Sequence, residues 1–293
     1  MYLSKLRRGA VVASLVVAWC LAAPVAASAA SVPTHLTAAE RAALAYANHP
    51  GGELVRRHAN ADGTTTETTY LLGSGTTPAR EYAQLTAEGV TDLVDPSKAA
   101  AASTSGVVPA DPGQCFHGTA FALPGGVCPP YRWTNTRGLT LPEVWFYDLT
   151  GPSWPVDAAV ATWNSSSSIN VMYTPNGCPS GRHCVKVIEA IDSAHPDICG
   201  STTSQNVDSN RHFLDGKVNI TFNDYAFNHP PGTCFGSKRA AACHEIGHAL
   251  GMSHNSSATT SCMYGTSNSN MSQVPNTDDY WVLAHISYVS VVF

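Results

Sequence analysis

Beyond residue 140 the apolar positions follow either a two-residue or a helical period, and these periods divide the chain into elements. Glu143 to Asp148 and Ile169 to Tyr173 read as strands, and between them Val156, Ala159, Val160 and Trp163 fall on one face of a helix. Val185 to Ile191 reads as another strand, and Val218, Ile220 and Phe222 alternate toward one side of a further one. A helix from about Ser237 to Leu250 follows, closed by Gly251, and a last helix runs from Asp278 or Asp279 to about His285. Upstream, Thr37 with Glu40 is a capping box opening a helix through Ala42, Leu44 and Ala45. Thr65 to Leu72 reads as a strand, and Thr77-Pro78 starts a helix that fades at Gly89. The Ser/Thr/Asn-rich stretches 201 to 210 and 255 to 270 read as loops. This mixture of elements is that of an α+β fold.

The first 29 residues differ from the rest. Lys5, Arg7 and Arg8 precede an uncharged apolar run from Ala10 to Val25, which ends in small residues around Ala27-Ser28-Ala29. That is the pattern of a secretory signal peptide rather than of a membrane anchor. Of nine cysteines, Cys20 would leave with it, and the other eight all lie at or beyond Cys115. An even number in an exported chain reads as a disulfide framework. Residues 98 to 112 are Ala, Ser, Thr, Gly and Pro with almost no charge, a linker that proteases could reach. The expected organisation is a signal peptide over 1–29, a small prodomain and linker over 30–112, and the main domain over 113–293.

Charged residues make up 13% of the chain, about half the usual share, and the net charge is -5. No basic excess exists to bind phosphate backbones, so nucleic acid is excluded as an expected partner. The expectation is a secreted monomer without a membrane anchor.

The chemistry lies in residues 244 to 254, His-Glu-Ile-Gly-His-Ala-Leu-Gly-Met-Ser-His. Four residues apart on a helix, His244 and His248 project from one face and can share a metal ion. Glu245 beside them is placed to take a proton from water activated by that metal, and Gly251 lets the chain turn back so that His254 approaches from another direction. Three imidazoles with one open position describe a catalytic zinc site, whereas structural zinc is usually closed by four protein ligands. The run resembles the metzincin clan of zinc metallopeptidases, and Ser261-Cys262-Met263-Tyr264-Gly265 supplies the methionine turn of that clan. Tyr264 directly after Met263, nine residues from His254, looks like the matrixin arrangement, and Gly265 stands where astacin-like and serralysin-like enzymes have a tyrosine. The resemblance is specific over residues 237 to 265 and looser back to about residue 131. The matrixin prosegment motif Pro-Arg-Cys-Gly is missing, and Cys115 is the only cysteine near the linker.

The resemblance implies a metzincin-like catalytic domain with a mixed twisted sheet, an active-site helix and a C-terminal helix. It implies a zinc endopeptidase acting on protein or peptide substrates, with His244, His248 and His254 as ligands of one zinc and Glu245 as general base. Met263 would be an apolar floor beneath the histidines, and Tyr264 would line a substrate pocket. Eight cysteines allow 105 pairings. Proximity favours Cys243 with Cys262, which would tie the Met-turn to the active helix, and the simplest remainder is Cys115 with Cys128, Cys178 with Cys184, and Cys199 with Cys234. His117, His183, His195, His212 and His229 read as plain surface residues. Asp192, Asp197 and Asp208 lack the twelve-residue pattern of a calcium loop, so Ca2+ is unsupported. A sequon at Asn255 would put a glycan beside the cleft if the source glycosylates. The rival reading is a secreted non-catalytic binding protein or adhesin on the same fold, a class usually marked by loss of the Glu or of one histidine, neither of which is lost here.

Overall fold

A computed structural model describes residues 52–99, 116–118, 120–122, 130–228, 234, 236–255, 260–265 and 271–288. The expected signal peptide, the helix after Thr37, the linker, and Cys115 and Cys128 lie outside them. The centre is a seven-stranded sheet in the order β1-β2-β8-β9-β7-β5-β6. Four strands are parallel: β5 (Glu143–Asp148), β6 (Asn170–Thr174), β7 (His183–Ala190) and β9 (Val218–Asn223). Three run antiparallel to their neighbours: β8 (Ile198–Val207), β2 (Thr65–Leu72) and β1 (Gly52–Ala59). Val144, Phe146, Val185, Val187, Ile220 and Phe222 are fully buried, as alternation along half-covered strands requires.

Two helices pack beside this sheet. α2 (Val156–Trp163) buries the four residues on its predicted face, while α3 (Lys238–Ala249) is buried on every side from Ala240 onward. Ser237 caps α3 by accepting the Ala240 amide at 3.1 Å. At its other end two carbonyls without helical partners are met by aromatic donors: the Trp133 indole N–H reaches Ala249 O at 2.9 Å and the Tyr288 hydroxyl reaches Leu250 O at 2.7 Å. The Trp163 indole donates to Cys243 O at 2.8 Å. Three of the five tryptophans beyond residue 112, Trp133, Trp154 and Trp163, thus belong to the core around this helix. A small sheet of β3 (Phe116–His117), β4 (Ala120–Ala122) and β10 (Met252–Asn255) lies against α4 (Thr277–Val282), which continues as a π-helical turn, Leu283–Ser287.

Two expectations fail here. The stretch 201 to 210, expected as a loop, is mostly strand β8, paired with β2 on one side and β9 on the other. Its Ser and Thr residues misled because Thr202 and Ser204 are buried polar groups, and threonine favours strands as readily as loops. Of the histidines read as surface residues, His229 lies outside the described residues and the other four have partners. His183 is buried with Asp215 Oδ1 at 2.6 Å and Thr134 O at 2.8 Å, His195 lies between two carboxylates, and His212 pairs with Asp208 at 3.4 Å. His117 stacks on Trp281, with ring centroids 3.9 Å apart.

The break in composition near residue 113 is not a break in the sheet. The hairpin β1–β2, from the expected prodomain, extends the sheet across the edge of β8. One face carries Leu54 and Leu72 into a small core with Leu85 of α1 (Pro78–Ala87), while Leu71 on the other joins the main core. His195 fastens the two regions: one ring nitrogen faces Glu88 at the end of α1 at 2.8 Å, the other Asp192 at 2.7 Å. The Glu88 contact, opposed by partial burial and supported by Asp192, raises the His195 pKa above 6.5. A raised folded-state pKa stabilises below pH 6.5 and is lost as pH rises through the folded value. Hydrogen exchange of α1 amides, corrected for intrinsic rates, should therefore show weaker protection at pH 8.5 than at pH 6. His195→Gln should remove that difference.

Candidate metal centre

Three elements bring the histidines together. α3 carries His244 and His248 one turn apart, and the chain then reverses at Gly251, whose φ of +94° and contact with the Tyr131 carbonyl both exclude a side chain. β10 returns with His254 and is fixed by the Asn255 amide donating to Met263 O at 2.8 Å. The ring centroids are 4.6, 5.4 and 5.7 Å apart, so the three imidazoles surround one point. Met263 is fully buried and packed so closely on α3 that a Cβ at Gly247 would overlap its sulfur and crowd Trp163. Gly247 therefore lets the methionine lie close against α3.

The hydrogen bonds fix which ring nitrogens point inward. A carbonyl can only accept, so His244 Nδ1–H donates to Cys262 O at 2.7 Å and His248 Nδ1–H to Met252 O at 2.8 Å. Each Nε2 is left to face the centre, the second-shell arrangement that orients metal-binding imidazoles. The acceptor for His244 belongs to Cys262, which is bonded to Cys243 on α3. That disulfide, between the residues immediately preceding His244 and Met263, holds the carbonyl against the ring. Cys178–Cys184 and Cys199–Cys234 are also bonded.

The open position expected from the sequence is filled by Glu53 of β1. Its Oε1 lies against Nε2 of His244 and, at 3.0 Å, of His248, and its Oε2 contacts Nε2 of His254. Glu53, His244 and His248 are buried and His254 is partly so. The inward atoms of all four lie within 4.8 Å of one another and could hold a metal ion. The donor set fits one: with Nδ1–H of His244 and His248 committed to carbonyls, their neutral rings turn Nε2 lone pairs toward the Glu53 carboxylate, an arrangement that a shared cation would reconcile. Burial works against the ionised Glu53 carboxylate, but the three imidazoles outweigh it and hold its pKa well below the usual range. Burial alone would lower His248, yet Glu53 lifts it to about 9, while burial prevails at His244 and takes it to about 4. The cluster behaves as one carboxylate balanced by positive charge.

Glu245, the residue after His244, reaches Thr202 of β8 with one carboxylate oxygen. Its Oε2 accepts the Thr202 hydroxyl at 2.6 Å, its Oε1 is buried, and burial pushes its pKa up to about 8. Tyr264 is half-buried at a bridge to Asn255, and the next residue, Gly265, lies against the His254 ring. Asn255 is not a glycan site in this fold: its amide is buried and donates to Asp279 at 2.9 Å. Glu53 and Thr202 escaped the sequence reading. Glu53 is 191 residues from His244, and the only local hint is a carboxylate between Gly52 and the apolar Leu54-Val55.

Replacing Cys243 and Cys262 together by Ser should destabilise the protein by about 3 kcal/mol from chain entropy alone. It should also weaken metal retention, because the His244 acceptor is freed. Urea unfolding and metal competition against a chelator measure the two effects, and unchanged retention would detach the bridge from the site.

No family model matches this chain, and no curated protein matches it.

Proposed function

We propose that this protein is a secreted zinc endopeptidase made as a precursor, and that its catalytic unit is a metzincin-like domain of matrixin type. The observation that carries this reading is the joint placement of three inward Nε2 atoms and the buried carboxylate of Glu245, one residue after His244. Two imidazoles from one helix and a third from a separate strand make a neutral three-nitrogen set, the ligand type that zinc takes in hydrolases. Zinc, when bound, supplies a Lewis acid that lowers the pKa of water to about 7 and polarises a scissile carbonyl.

The chain's own groups supply the rest. Glu245 accepts a proton from the attacking water and returns it to the leaving amine, and a carboxyl poised near neutrality suits both transfers. Thr202 holds one carboxylate oxygen, so the other is aimed without rotating freely. Met263 and the Cys243–Cys262 bridge fix the ring positions from below. Three disulfides among the described residues, and no described helix long and apolar enough to cross a membrane, fit an exported protein.

One observation favours a second reading. With Glu53 the metal set has four protein ligands, the closed form of a structural site, which suits a secreted non-catalytic binding protein. Activity decides between them. After removal of residues up to the linker, the zinc-loaded protein should cleave casein, and a chelator should abolish cleavage. Glu245→Gln should retain zinc while losing turnover by about 10²- to 10⁴-fold. Thr202→Val should lower kcat by roughly tenfold with KM little changed, since it removes a hydrogen bond to a charged group. A Glu245→Gln variant with full activity would sink the peptidase reading.

A further inference from the structure

We propose that the hairpin β1–β2 is a built-in inhibitor of the metal centre, in which Glu53 takes the fourth ligand position and β2 covers the edge of β8. The proposal rests on the zinc-peptidase reading and names the regulation of that same site. Glu53 is the only member of the four-residue cluster that comes from before the linker sequence. It enters from a strand whose register with β2 is continuous over eight residue pairs, so its carboxylate is delivered by a rigid element. The same face of the hairpin carries a second carboxylate, Glu67, but Arg57 directly across the ladder binds it at 2.6 Å. Only Glu53 is thereby left to the histidines.

The second half of the plug is the strand pairing. β2 pairs with β8 from Thr65 to Leu72, with register shifts near both ends, and the Thr68 and Thr203 hydroxyls meet at 3.0 Å. β8 also carries Thr202, the partner of Glu245. A peptide adding to this edge would lie beside the reacting groups, as in β-strand addition, but the hairpin already uses the edge's hydrogen bonds. Ligand position and sheet edge are thus blocked by one element. Leu54, Leu72 and Leu85 form a small core that stays with the hairpin and α1, so the plug can leave with it, giving up the contacts of Leu71 with the main core and of Ile198 with the small one. Its covalent tether runs through residues 98 to 112. Hydrolysis of one peptide bond there, consuming water and leaving a new carboxylate and a new amine, makes departure of the hairpin possible.

The test uses the full-length precursor loaded with Co2+ in place of zinc, with azide as a small probe ligand and the visible cobalt spectrum as readout. A tethered carboxylate competes at an effective concentration of mM or more, so the uncut wild-type protein should need at least about tenfold more azide than Glu53→Ala. Glu53→Gln keeps the side-chain volume and should behave like Glu53→Ala, which separates loss of the ligand from loss of fold. A wild-type precursor carrying an inserted specific protease site between Ala102 and Ser103, cut and freed of its prosegment, should take up azide as readily as the variants. Equal azide affinity in uncut wild type and both variants overturns the proposal, as does a cut, separated protein that still refuses azide. Failure of every form to bind cobalt would instead remove the metal reading beneath it. A centre that opens to azide yet never cleaves peptides leaves the plug standing and removes only the peptidase.

Discussion

Four electron-rich atoms facing one another cannot rest together in a protein interior without positive charge among them. Three imidazole nitrogens and the Glu53 carboxylate do so here, while the opposite nitrogens of His244 and His248 donate to main-chain carbonyls. Each isolated carboxylate or unpaired imidazole would carry a large burial cost. The surrounding structure makes sense as what is needed to hold that set in place: a helix buried on all sides, a reversing glycine, a buried methionine packed on the helix and a disulfide next to His244.

Much of the stabilisation is arranged around α3. Indole and phenol donors close carbonyls that the helix geometry leaves without partners, and they come from segments far apart in the chain, around Trp133 and Tyr288. The last helix is joined to the methionine turn through Asp279, which is fully buried and accepts from Ser261 and Asn255. Burial pushes the Asp279 carboxyl up while these donors pull it down, so it is satisfied by hydrogen bonds and no cation needs to balance it there. A polar network of this kind fixes the direction from which His254 approaches, and its neighbour Asn255 is part of it. In a chain with few charged residues, such hydrogen bonds and the three disulfides among the described residues do the work that ion-pair networks do elsewhere.

The hairpin ties the sheet to the histidine cluster. Its strands continue the sheet, and its buried face carries both Leu71 into the main core and Glu53 into the histidine cluster. Covering β8 also removes an unpaired strand edge, which would otherwise invite association between chains. One set of main-chain hydrogen bonds therefore completes the sheet and delivers the carboxylate.

The sequence by itself determined what depends on local spacing. Strand β5, helix α2 and the caps of α1 and α3 follow from period and capping chemistry. His244, His248 and Glu245 are related by one helical turn, and Gly251 announces the reversal that returns His254, so that part of the site was legible as a motif. Tertiary structure alone decided what depends on meetings across long separations. No local pattern distinguishes Glu53 from any other strand carboxylate, and the polar residues of β8 read as a loop until two neighbouring strands and the Glu245 carboxylate give them partners. The physical reason is that periodicity records which face of an element is buried, and it carries no information about which distant group lies against that face.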